Sequence, residues 1–176
     1  DCPMSTLSVD TIQGKTTAGT VDLPSGTVVQ QVNSLDNAVT ANRVYQNTTS
    51  TSFTHMTNFD IKITPKFASS KILYFGAFNF YAHANAQYGY VALHQHISGG
   101  SATIVAVNST YGSGIIGPSM YHQIPVMHMM TPNTTNEITY KMYTRAHNSS
   151  GAVYLGWDSG TPNDNATNFF AMEIRA

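Results

Sequence analysis

The sequence predicts an all-β protein: an antiparallel two-sheet β-sandwich of jelly-roll type preceded by an extended N-terminal arm. Three observations carry that reading. Short runs rich in Val, Ile, Tyr, Phe and Thr recur along the 176 residues, separated by clusters of Gly, Pro, Asn and Ser. Within the runs polarity alternates, as in "EITYKMYTR", where Ile138, Tyr140 and Met142 oppose Thr139, Lys141, Tyr143 and Arg145. No stretch keeps the 3.6-residue period long enough for a helix; "LDNAVTANRVY" comes nearest and reads as a loop with one turn.

Taken in order, residues 4–26 hold small β-prone segments split by Gly14, Gly19, Pro24 and Gly26, with too few large apolar side chains to close a core. Residues 1–26 are therefore expected to be an attachment arm and 27–176 the sandwich. Strands are expected at 27–33, 43–46, 51–63 with a break, 71–82, 87–97, 102–108, 121–129, 136–146, 151–157 and 168–175. In "NFDIKITP", Phe59, Ile61 and Ile63 alternate with Asp60 and Lys62 until Pro65 ends the run. In "FFAMEIR", Phe170, Met172 and Ile174 oppose Phe169, Ala171, Glu173 and Arg175. The run "KILYFGAFNFYA" is apolar on both faces, which predicts a central strand or a subunit contact. Its Phe75, Phe78, Phe80 and Tyr81 are the expected trimer contacts. Many short strands without a Cys…Trp…Cys pattern favour a jelly roll over an immunoglobulin sandwich.

Composition excludes several functions. Apolar residues make up 41% of the chain, enough for a core, but charged residues only 10%, against roughly 25% in ordinary soluble domains. Thr, Ser, Asn and Gly replace them, so the surface is solvated largely by neutral hydrogen bonds. A net charge of -1 with no Lys/Arg run lacks the footprint of a nucleic-acid binder. Cys2 is the single cysteine, so no intrachain disulfide forms. No apolar run approaches the ~20 residues of a membrane helix.

Few constellations support chemistry. His94 and His96 in "ALHQHIS" lie two apart on a strand and so share a face; imidazole pairs of this kind suit a transition metal. They are the only metal candidates, and a polar packing role is the expectation, with no cofactor. His122 and His128 flank Pro125, and His55, His83 and His147 stand alone. Ser119 lacks the nucleophile-elbow pattern. Asp158 and Asp164 sit in "WDSGTPNDN", which is turn chemistry, and "YGSGIIG" lacks the lysine of a phosphate loop. A set of loop residues better suits carbohydrate: Trp157 with Asp158, Asn163 and Asn165, or Tyr111 and Tyr121 near amides, combine an aromatic platform with neutral hydrogen bonds.

"MSTLSVDTIQGKT", "LPSGTVVQ", "ITPKFASSKIL", "TPNTTNEITYKMY", "GAVYLGW" and "NFFAMEIRA", in that order, span nearly the whole chain. This series resembles the small tail-fibre-like virion proteins of tailed bacteriophages, especially those of marine bacteria and cyanobacteria. The resemblance implies a β-sandwich head that trimerises, an N-terminal segment joining other virion proteins, location on the particle surface and no catalytic residues. The expected function is a non-catalytic fibre or spike knob, anchored through residues 4–26 and meeting host surface glycan or protein. The alternatives are a capsid decoration or head-fibre protein without a receptor role, a free lectin-like module and, last, a hydrolase.

Overall fold

The computed structural model describes residues 24–33, 45–86, 88–98, 100, 102–108, 119–156 and 168–176. Ten strands are present among them: β1 (Val28–Asn33), β2 (Gln46–Thr48), β3 (Thr54–Ile63), β4 (Lys71–Ala82), β5 (Gly89–Ile97), β6 (Ala102–Asn108), β7 (Met120–Met130), β8 (Ile138–Ala146), β9 (Val153–Leu155) and β10 (Asn168–Ile174). The sole helical piece described is a 3-10 turn at Ala84–Ala86. The expected runs form strands except 43–46, of which residues 43–44 lie outside the described residues and only Gln46 is in a strand, β2 running on to Thr48. Residues 1–23 of the expected arm lie outside the described residues. Among the described residues, Gly26 at the end of the expected arm already donates its N–H to the carbonyl of Arg175.

The strands form two antiparallel sheets, one with the order β1-β10-β4-β9-β2 and β7 on the other side of β4, the second with the order β3-β8-β5-β6. The two-faced run is indeed central. β7 pairs along the whole of β4, from Ile72 opposite Met130 to Ala82 opposite Met120. The other edge of β4 is shared end to end by β10 and β9.

Inward side chains of both sheets make one core. β8 follows its sequence pattern: Ile138, Tyr140 and Met142 are fully buried, while Thr139, Lys141, Tyr143 and Arg145 face outward. On β3, Phe59, Ile61 and Ile63 point in. The ladder jumps from Met56–Met142 to Ile61–Tyr140, five steps on β3 against two on β8, so residues 57–60 bulge. A hydrogen bond between His55 Nε2 and Asp60 Oδ1, 2.6 Å, spans that bulge.

The centre is aromatic. Phe78 stacks on Phe169 at 5.4 Å and meets Phe59 edge-on at 6.0 Å, and Tyr74 lies 5.2 Å from Tyr140. Gly76 on β4 makes room for this, because a Cβ there would strike the rings of Phe78 and the Cβ of Phe169. The Tyr140 hydroxyl donates to Met130 Sδ at 3.1 Å. The Tyr74 hydroxyl, fully buried, has no hydrogen-bond partner among the described residues, and burial drives its pKa far upward.

One charged side chain among the described residues points inward. Glu173 on β10 is fully buried. It accepts from the backbone N–H of Lys66 at 2.9 Å and of Phe67 at 3.0 Å, and from Gln30 Nε2 at 2.6 Å. The Gln30 amide also donates to the Thr64 carbonyl at 2.7 Å. The connection between β3 and β4 therefore wraps a carboxylate. Burial raises the Glu173 pKa, but the donors outweigh it and hold the group below the ordinary carboxylate value.

Two outcomes follow from these groups. Glu173→Ala leaves the Lys66 and Phe67 N–H groups without their acceptor and should cost about 3 kcal/mol in chemical denaturation. Because the folded pKa is depressed, the wild-type contribution is present above the ordinary glutamate pKa and is lost as pH falls through the folded value. The variant should show a correspondingly smaller loss of stability on acidification. Tyr74→Phe removes a buried hydroxyl without a partner and should leave stability equal or raise it by about 1 kcal/mol, read from the same unfolding curves.

Candidate interaction faces

The sandwich presents two broad outer faces, and they differ in chemistry. On the β3-β8-β5-β6 sheet, cross-strand register brings aromatic and basic side chains into rows. Arg145 lies opposite Tyr90 and His55 opposite Tyr143. The Arg145 guanidinium packs over the Tyr90 ring at 3.8 Å and over Phe53 at 5.4 Å, and the Tyr90 hydroxyl meets His147 Nδ1 at 3.1 Å. The Tyr143 ring is stacked between His55 at 5.1 Å and His94 at 3.9 Å. Several ring faces in this row are thus covered by one another. Lys62 and Glu137 pair at 3.3 Å, both well exposed, a contact worth little.

His94 and His96 share this outer face, as their spacing predicts. Their Nε2 atoms are buried and without a hydrogen-bond partner among the described residues. No group of three or more His, Cys, Asp or Glu among the described residues is arranged to hold a metal. Burial and then the neighbouring His96 and His55 lower the His94 pKa. Burial, Lys141 and His55 lower that of His96 against the opposing pull of Asp60. Burial also raises the Asp60 carboxyl above its ordinary value, with the His55 hydrogen bond opposing it.

The outer face of the other sheet is apolar. Paired rows run Met172–Leu73–Met129 and Phe170–Phe75–Met127 across β10, β4 and β7. Met127 is 68% exposed, Met129 52% and Phe75 36%. Among the described residues the only charged side chain on this face is Lys71, at the start of β4.

This geometry corrects the expected trimer contacts. A strand has period two, so Phe75 and Tyr81 cannot share a face with Phe78 and Phe80. Phe78 and Phe80 are completely buried inside the single chain and cannot touch another. Phe75 lies on the outer face and the half-buried Tyr81 further along it. Met127 and Met129 join Phe75 there, and sequence reading did not single them out. Their signal was the same two-sided apolar pattern that marked 71–82, repeated in "IPVMHMM". Of the expected glycan-contact residues, Tyr111, Trp157, Asp158, Asn163 and Asn165 lie outside the described residues. Tyr121 is on the outer face of β7, half exposed and stacked on Tyr81 at 4.6 Å.

No protein-family model matches the chain, and no curated protein matches it. It is similar to a solved structure of the Gx strain of infectious bursal disease virus, with 12% identity, a TM-score of 0.42 and coverage of 98% of this chain and 42% of that one. A VP2 subviral particle of infectious bursal disease virus gives 12% identity and a TM-score of 0.42, covering 96% of this chain and 42% of that one. The T13 particle of the virus gives 10% and 0.39, covering 99% of this chain and 40% of that one. The chain spans about two fifths of the length of those viral chains. With TM-scores below 0.5, these likenesses carry no inference about function or assembly.

The histidine row makes a pH-dependent outcome. His94 and His96 have folded pKa values below the ordinary 6.5, so the unfolded chain binds their protons more readily. Stability should therefore fall as pH drops from about 6.5 through the folded values. The double substitution His94→Gln/His96→Gln should flatten that part of a melting-temperature-against-pH profile. At pH 7.5 it should change stability by no more than about 1–2 kcal/mol. Elemental analysis of the purified wild type should find no stoichiometric metal.

Proposed function

We propose that this chain is a non-catalytic structural protein of a bacteriophage virion, the trimeric knob of a fibre or spike. Residues 4–26 attach it to the particle, and loops away from that attachment meet host surface glycan or protein. The observation that carries the structural role is the contrast between the two outer faces. One is solvated by charged and stacked side chains; the other is apolar over three adjacent strands and nearly free of charge. Such a face suits a subunit that lives in an assembly better than a free enzyme or lectin. The ordered motif series from "MSTLSVDTIQGKT" to "NFFAMEIRA" supports the phage assignment. Repetition of the knob would make weak single contacts with a host surface effective together.

Gold-labelled antibody against the chain, imaged on intact particles, tests the reading. Label should decorate projecting fibres or spikes. Deletion of residues 4–26 should leave a β-rich folded head by circular dichroism that no longer pellets with particles. Label confined to the capsid shell would instead support a decoration protein, and a chain absent from purified particles would defeat the virion role.

A further inference from the structure

We propose that the outer face of the β10-β4-β7 layer is where the chain packs against further copies of itself, edge on face. The methionines of β7 in one copy would sit on Phe75 and Phe170 of the next. This rests on the homo-oligomeric part of the proposed function, not on the virion assignment.

Three observations choose the occupant and the geometry. The first is area. Met127, Met129 and Phe75 with the partly buried Leu73, Phe170 and Met172 expose on the order of 500 Å² together, in the upper part of the roughly 300–600 Å² that the largest apolar patch of a monomer reaches, and such patches are often interaction sites. The second is charge. With Lys71, at one end, the single charge on this face among the described residues, an uncharged apolar surface fits it better than a charged one, and this chain carries such a surface. Methionine side chains, flexible and polarisable, adapt well to such a self-contact.

The third is the position of the exposure. β7 pairs only with β4 among the described residues, so it is an edge strand, and exposure is greatest there, at Met127 and Met129. Cover must come from beside the sheet as well as from above it. Strand addition along that edge is opposed by Pro125 in the middle of β7, which has no N–H to give. Side-chain packing of the edge onto a neighbour's face remains. Seating the β7 edge of one copy on the Phe75–Phe170 part of the next makes the contact heterologous, and it closes into a ring where the rotation between copies is a whole fraction of a turn.

The test uses the full chain. Wild type should show a multi-chain mass by light scattering at micromolar concentration. Met127→Lys/Met129→Lys, placing charge at two positions more than half exposed in the single chain, should give a monomer with an unchanged β circular-dichroism spectrum. Its dissociation constant should rise by on the order of 100-fold or more. Ile104→Lys, at a residue 53% exposed on the opposite sheet, should keep the wild-type mass. Peroxide oxidation followed by mass spectrometry reads the same face without a substitution: Met127 and Met129 of wild type should oxidise far more slowly than a methionine in a free peptide. A wild-type mass that survives the double lysine variant would overturn the interface while leaving the oligomer intact. So would free-peptide oxidation rates at both methionines. A wild-type monomer would overturn both the self-contact and the trimeric reading, and would leave location on the particle to be decided by imaging.

Discussion

The fold turns on the carboxylate of Glu173. β3 and β4 belong to different sheets, so residues 64–70 are where the chain crosses from one layer to the other. That crossing bends around Glu173, which lies on a strand hydrogen-bonded to both β1 and β4. A buried carboxylate without donors would be forced toward its neutral form. Here two backbone N–H groups and the Gln30 amide keep it charged, and the same bonds satisfy loop groups that would otherwise be orphaned. Arg175 strengthens the join, its guanidinium stacking over Phe67 at 4.3 Å and donating to Ser69 Oγ at 3.0 Å. One polar knot therefore sets the offset between two sheets whose remaining contacts are largely apolar and non-directional.

How far the sequence discloses this structure depends on the strand. β8 and β3 are legible because each has one wet face, and alternation alone says which side is inside. β10 is not: Phe170, Met172 and Ile174 look like the core side, yet Phe169, Ala171 and Glu173 are buried. Orientation there is decided by the backbone donors of Lys66 and Phe67, more than a hundred residues away in sequence. The same two-sided apolarity made Phe78 and Phe80 resemble contact residues when they are core. The shared face of His94 and His96 follows from spacing. Their stacking partner does not, because Tyr143 reaches His94 only through the β5–β8 register. That register is a tertiary fact.

The two outer faces solve the problem of a low-charge surface in different ways. The β3-β8-β5-β6 face gathers Lys141, Arg145, Lys62 and Asp60 and engages several of its rings with one another, so its aromatic surface is partly self-covered. The other face leaves apolar side chains uncovered, and its two tyrosines at one end, Tyr81 and Tyr121, stack as a pair.

The neighbouring positions of β1 and β10 also bear on how the molecule is made. β10 is inserted between β1 and β4, although β1 and β4 are translated long before it. While the ribosome is still synthesising the intervening strands, β1 lacks the partner it has among the described residues and β4 has a bare edge where β10 will lie. Pairings so distant in sequence form slowly, since a long loop must close before any contact rewards it. The aromatic core around Phe169 and the crossing around Glu173 can close only after β10 has emerged. Arrival of β10 thus gates closure of the sandwich, and a chain that has not reached it presents open strand edges of the kind that chaperones and proteases recognise.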